Sequence, residues 1–212
     1  MSQPEPTYDD ICARILAEPA NPHRRLIAVA GPPGSGKSTF GANIAERLEQ
    51  QGVRCAVVPM DGFHLDNRLL DIDGTRAAKG SPYTLDSAGV LRLVNAMQDD
   101  TDLIYPLFDR VRDLAIAGAG RLGRNCDTVL IEGNYLLYDA PIWRDLAAHW
   151  TLSIALTPPR TLLHARLVQR WLDHGMSRDD AIKRAEENDM KNADLVLSHM
   201  LPADLTLTEV PT

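Results

Sequence analysis

Residues 26–38 read Leu26-Ile27-Ala28-Val29-Ala30-Gly31-Pro32-Pro33-Gly34-Ser35-Gly36-Lys37-Ser38. The first five are apolar without alternation, as in a strand buried on both faces of a parallel sheet. The rest fit the pattern G-x-x-x-x-G-K-[ST], whose glycines allow successive backbone N–H groups to converge on an anion. Phe40, Ile44 and Leu48 then recur at the spacing of one helical face. Strand, glycine loop and helix in that order make a phosphate cradle, because the helix aims its positive dipole end at the loop. Gly31, Pro32, Pro33, Gly34, Ser35, Gly36 and Thr39 are expected to shape this cradle. Lys37 would place a point charge on the β- and γ-phosphates, and Ser38 a hydroxyl on Mg²⁺. The cofactors expected are therefore ATP and Mg²⁺.

Outward from this core, Gly52 closes the helix and Arg54-Cys55-Ala56-Val57-Val58 reads as a second strand. Strand, helix, strand argues for a right-handed parallel unit and an α/β class. Thr128 to Ile131 and Leu152 to Leu156 are further buried strands, and Leu195-Val196-Leu197 and Leu205-Thr206-Leu207 are short late strand candidates. Tyr8, Ile11, Cys12, Ile15 and Leu16 predict a helix over about 7–19, ended by Pro19 and Pro22. Val90, Leu93, Val94 and Met97 mark another helix, and Leu163, Leu167 and Trp171 a third. Ser177 to Asp180 resembles a capping box opening a further one. The polar stretches 61–84 and 99–125 read as long loops, which in a compact domain usually serve function.

The 212 residues suit a single domain spanning the whole chain. A net charge of −7 argues against a nucleic-acid surface, which needs clustered Lys and Arg. Cys12, Cys55 and Cys126 have neither disulfide nor zinc spacing, and no stretch reaches membrane-span length. A cytoplasmic location with no membrane partner is expected.

Three further features carry chemistry. Glu132 follows a buried strand, where ligands gather in parallel sheets, and can serve magnesium or the acceptor. Asp61, in Met60-Asp61-Gly62-Phe63-His64, ends the second strand, and a carboxylate there can take the proton of an alcohol attacking a γ-phosphoryl group. Arg166 and Arg170 lie one helical turn apart, after Arg160, and can neutralise transferring charge as arginine fingers do.

Together with Lys79-Gly80-Ser81-Pro82, Tyr105-Pro106-Leu107-Phe108-Asp109, Ile131-Glu132-Gly133-Asn134 and Asn188 to Leu195, these motifs cover roughly residues 25–200. They resemble the P-loop kinases grouped with uridine kinase, phosphoribulokinase and bacterial pantothenate kinase. The resemblance implies a three-layer α/β fold: five parallel strands, helices on both faces, and a small helical lid over about 160–180. It implies that Asp61 is the base, that Arg170 belongs to the lid, and that Asn188 to Asn192 lie near the adenine. Catalysis is thus expected from Asp61, Lys37 and Arg170, nucleotide contacts also from Arg166 and Asn192, and metal contacts from Ser38 and Glu132. The acceptor is expected among Asp61, His64, Tyr83, Phe108, Arg110 and Glu132. Phe108-Asp109-Arg110 replaces the Tyr-Asp-Phe of uridine kinases, putting a cation where an aromatic would face the base.

The chain looks most like short bacterial members described as fructose-transport-associated or nucleoside-like kinases, which implies a sugar acceptor. A nucleoside or a pantothenate-like alcohol stays open, and Arg110 and Arg112 could bind an acid or phosphate on the substrate. A homodimer is also left open. A nucleotide-dependent regulatory protein or a simple NTP hydrolase is the rival class, although no Asn-Lys-x-Asp guanine-selecting motif appears.

Overall fold

The computed structural model describes residues 6–20, 23–99 and 101–211. In chain order the elements are α1 (Tyr8–Ala17), β1 (Arg25–Ala30), α2 (Lys37–Gln50), β2 (Cys55–Pro59), α3 (Asn67–Ile72), α4 (Ser87–Ala96), β3 (Leu103–Asp109) and β4 (Leu114–Leu122). Then follow β5 (Thr128–Gly133), β6 (Leu152–Leu156), α5 (Arg160–Asp173), α6 (Arg178–Arg184), a π-helical turn (Ala185–Asp189), α7 (Met190–Ser198) and β7 (Leu205–Leu207).

The main sheet is fully parallel, in the order β2-β5-β1-β6-β7. Its central strands are buried on both faces, so alternate residues serve two cores rather than one core and solvent. Leu26, Ala28 and Ala30 join Val129, Ile131 and α4 on one side. Ile27 and Val29 join Leu130, Ile154, α1 and α2 on the other. A third, smaller cluster packs Leu163 and Leu167 of α5 against Ala185, Met190 and Ala193. Among the described residues no helix is long and apolar enough to cross a membrane.

The first helix runs Tyr8–Ala17 behind a Thr7 cap, within the span expected. Pro19 follows its C-cap, and Pro22 lies outside the described residues. Ser177 caps α6: its Oγ accepts from the Asp180 amide and donates to the Asp180 carboxylate.

Three expectations are corrected. The stretch 99–125 is not a loop but holds the antiparallel β3–β4 hairpin. Pro106 and the glycines of β4 mask its strand pattern, and the register shifts between Tyr105 and Leu107. Tyr105 and Leu122 nevertheless bury one side of it in the core. Leu195 to Leu197 is not a strand but part of α7, whose buried Met190, Ala193 and Val196 recur at helical spacing. The segment 61–84 holds α3 and short 3-10 turns. The α3 helix leaves Leu69 and Ile72 exposed, which is why it shows no apolar face in the sequence.

One buried cation fixes the hairpin base. Arg24 is fully buried and donates from Nε to Cys126 O, from Nη1 to the carbonyls of Met97 and Asp99, and from Nη2 to those of Thr101 and Gly123. The end of α4, both feet of the hairpin and the approach to β5 thus share one guanidinium.

Candidate active site

The carboxyl ends of β1, β2 and β5 open onto one cavity of about 790 Å³, where ligands of a parallel sheet bind. At one end the loop after β1 turns through Gly34 (φ 80°) and Gly36 (φ 89°), left-handed values that glycine adopts without strain. Gly36 caps α2 without any side-chain hydrogen bond, so its first-turn amides are left for an anion. Pro33, Gly34, Gly36, Lys37, Ser38 and Thr39 line the cavity. Gly31, Pro32 and Ser35 do not: they are buried beneath the loop and shape it from below. A side chain at Gly31 would collide with Ser35 Oγ and the Leu156 carbonyl, so glycine there is a packing requirement.

Opposite the loop stand two carboxylates. Glu132, near the end of β5, accepts from Ser38 Oγ at 3.0 Å. Burial raises its pKa and Asp61 adds to the rise, while Lys37 and the Ser38 hydrogen bond oppose it. Asp61 comes from the 3-10 turn after β2 and is bound by Arg110 Nη2 at 2.6 Å. Burial would raise its pKa too, but His64, Arg110, Lys37 and Arg170 outweigh that and hold it below the usual carboxylate value. Lys37 is pushed down by burial, with Glu132 and Asp61 pulling back. Asp61 is therefore an ionised carboxylate, restrained by the cations around it.

The oxygen donors fit magnesium. Ser38 and Glu132 already meet, Asp61 stands near, and no cluster of three or more His, Cys, Asp or Glu forms a cage among the described residues. Mg²⁺ is commonly held by one or two carboxylates together with substrate phosphates.

The hairpin covers the side of the cavity where the acceptor is expected. Gly62 is required here, because a Cβ would collide with the Pro106 carbonyl of β3. The Phe108 ring lies 4.8 Å from the His64 ring and 5.1 Å from Lys79 Nζ. His64 is itself tethered, its Nδ1 at 2.8 Å from the Asp61 carbonyl. Lys79, absent from the expected site, is nearly buried and donates to Asn67 Oδ1 and to both the carbonyl and carboxylate of Asp113. Asn134 also lines the cavity, with its Oδ1 buried and lacking a donor.

Several expected site residues are placed elsewhere. Tyr83 is 62% exposed and does not line the cavity, because the turn Pro82–Thr84 points it outward. Arg112 pairs with Asp109 at the hairpin tip, and Arg160 pairs with Asp194. Arg166 and Arg170 do not form one charged face. Arg166 donates to the carbonyls of Gly34 and Ser35, bracing the loop from outside the cavity, whereas Arg170 lines it. Asn188 and Asn192 do line the cavity, but their amides bind Lys79 O and Ser81 Oγ and so fasten the 79–81 turn. The structure adds Trp171 and Arg184 to the lining, neither of them an expected site residue, and Asp189 from within the segment expected near the adenine.

The model of the phosphoribulokinase / uridine kinase family matches residues 26–212. The chain belongs to that family. The glycine loop, Asp61 and Glu132 thus belong to a P-loop kinase, a phosphotransferase whose family generally uses ATP with Mg²⁺. A solved structure from Silicibacter sp. TM1040, provisionally named a fructose transport system kinase, is 52% identical, with a TM-score of 0.92 over 95% of this chain and 99% of that one. A Schizosaccharomyces pombe protein provisionally named a uridine kinase is 32% identical over 96% of this chain and 91% of its own length. The uncharacterized protein YggC of Escherichia coli is 33% identical over 87% of this chain and 78% of its own.

Proposed function

We propose that this kinase transfers the γ-phosphoryl group of Mg-ATP to a hydroxyl of a small, sugar-like acceptor, fructose in chemical class. The observation that carries the reading is Asp61, a carboxylate that shares one cavity with the glycine loop, where the Phe108 ring is already packed by His64 and Lys79. A nucleoside acceptor would want a free aromatic face for its base. A polyol needs hydrogen-bond acceptors for its hydroxyls, and the Asp61 carboxylate in the cavity lining offers one. The 52% identical structure with a fructose-related name supports the same direction.

In this mechanism the amides of Gly34 to Thr39 hold the β- and γ-phosphates, and Lys37 adds its charge. Ser38 and Glu132 would hold Mg²⁺, which when bound neutralises charge on the phosphates. Asp61 aligns the acceptor hydroxyl and takes its proton as that oxygen bonds to the γ-phosphorus and the bond to the bridging oxygen breaks. Arg170, carried by a lid over about 160–180, faces the charge that spreads in the transition state.

An ADP-release assay with fructose, uridine and pantothenate in the acceptor panel tests the reading. Stimulation by the sugar and not by the others is expected. Stimulation by uridine alone would replace the acceptor class, and turnover indifferent to every alcohol would overturn the kinase chemistry.

A further inference from the structure

Arg170 and Trp171 stand side by side on α5, Arg184 ends α6, and Asp189 ends the π-helical turn, and all four line the cavity. Trp171 Nε1–H donates to Asp189 Oδ2 at 2.5 Å. Arg170 Cζ lies 5.5 Å and Arg184 Cζ 5.4 Å from the centre of the same indole ring. Both distances fall within the range where a guanidinium is attracted to the face of a tryptophan. Arg184 also reaches the Ala77 carbonyl at 3.4 Å, bridging towards the acceptor segment. Asp189 is buried, and the charges that face it are Arg170 and Arg184. The turn that delivers it is π-helical, a geometry often found at functional sites because it re-aims side chains within a helix.

We propose that Trp171 and Asp189 are positioning residues for phosphoryl transfer: the indole is the surface on which Arg170 and Arg184 are oriented within the cavity, and Asp189 locks the indole in place. The inference rests on the kinase reading but assigns roles that reading does not use. A planar guanidinium on a long stem has many rotamers, and its charge stabilises a transition state only if it is held in place beforehand. The ring restricts each guanidinium, while the Asp189 carboxylate fixes the ring through the one donor that indole possesses.

The test compares Trp171→Leu, Trp171→Phe, Asp189→Asn and the control Glu186→Gln. Glu186 pairs with His164 at 3.4 Å between the same helices but away from the cavity lining. Losing the ring in Trp171→Leu should lower kcat about tenfold, with KM for ATP and acceptor little changed. Trp171→Phe keeps a ring and should recover much of that loss, and Asp189→Asn should fall between Trp171→Leu and the unmodified protein. Glu186→Gln should match the unmodified protein. Mg-ATP should change the tryptophan fluorescence of the unmodified protein, and Trp171→Phe should abolish the change although Trp143 and Trp150 remain. Equal kcat in Trp171→Leu and Trp171→Phe, normal kcat in both Trp171→Leu and Asp189→Asn, a matching loss in Glu186→Gln, or an Mg-ATP fluorescence change that survives in Trp171→Phe would each overturn it. Should Trp171→Leu fail to fold, Asp189→Asn and the fluorescence comparison still decide. If no acceptor stimulates ADP release by the unmodified protein, the kinase reading fails, while the fluorescence comparison still reports on the cluster.

Discussion

Replacing Arg24 with methionine keeps most of the aliphatic stem and removes every donor. The five carbonyls of Met97, Asp99, Thr101, Gly123 and Cys126 then lose the guanidinium at 2.8–3.2 Å that binds them. A hydrogen bond to a charged group nets about 1.5–3 kcal/mol, so five would sum to an implausible total. Two effects cut this down: methionine avoids the desolvation of a fully buried cation, and water can refill part of the space. The expected loss is about 3–5 kcal/mol, the range for breaking a buried charged network. For a chain of this size that corresponds to a Tm lower by on the order of 10 °C. Urea titration should show a lower midpoint at unchanged m, and hydrogen exchange should show lost protection in β3 and β4 before the main sheet. The exposed Arg54–Asp127 pair is the control, and Arg54→Ala should leave the midpoint where it is. A loss under about 1 kcal/mol in Arg24→Met would refute the idea that this guanidinium holds the hairpin base.

Four other outcomes are expected. Lys37→Met should abolish phosphoryl transfer while circular dichroism and the urea midpoint stay close to those of the unmodified protein; measurable turnover would remove Lys37 from the phosphate site. Asp61→Asn should lower kcat by about 10²–10⁴-fold with Mg-ATP affinity preserved, as titration calorimetry can show. Arg110→Gln removes one of the charges that hold the Asp61 pKa down, so the acid limb of kcat/KM should move to higher pH; a limb that stays put would mean Asp61 is not the titrating base. Gly36→Ala forces a Cβ into left-handed backbone and should cost about 1–2 kcal/mol together with ATP affinity, read by calorimetry and urea titration.

Much of the donor half was legible because its determinants are contiguous. A both-faces-buried strand, a glycine loop and an amphipathic helix are local patterns, and β1, the loop and α2 follow them. Asp61 and Glu132 could be found because strand ends in a parallel sheet converge. What stayed hidden depends on partners far apart in the chain. Arg24 reads as half of a basic pair with Arg25 until the hairpin feet close around it. Lys79 becomes a nearly buried cation only where Asn67 and Asp113 meet it. Trp171 reads as the apolar side of α5, and its donor reveals a second task only when the π-helical turn brings Asp189 opposite. Tyr83 shows the reverse: it is expected among the acceptor residues, but the turn Pro82–Thr84 exposes it.

The β3–β4 hairpin stands apart from the five-stranded sheet, with its feet set by Arg24 and its tip by pairs of opposite charges. Phe108, Arg110 and Asp113 thus line the cavity from outside the five-stranded sheet and the glycine loop. In evolutionary terms the hairpin is an exchangeable cartridge, a separate two-stranded wall plugged onto one side of a cavity whose floor is the five-stranded sheet.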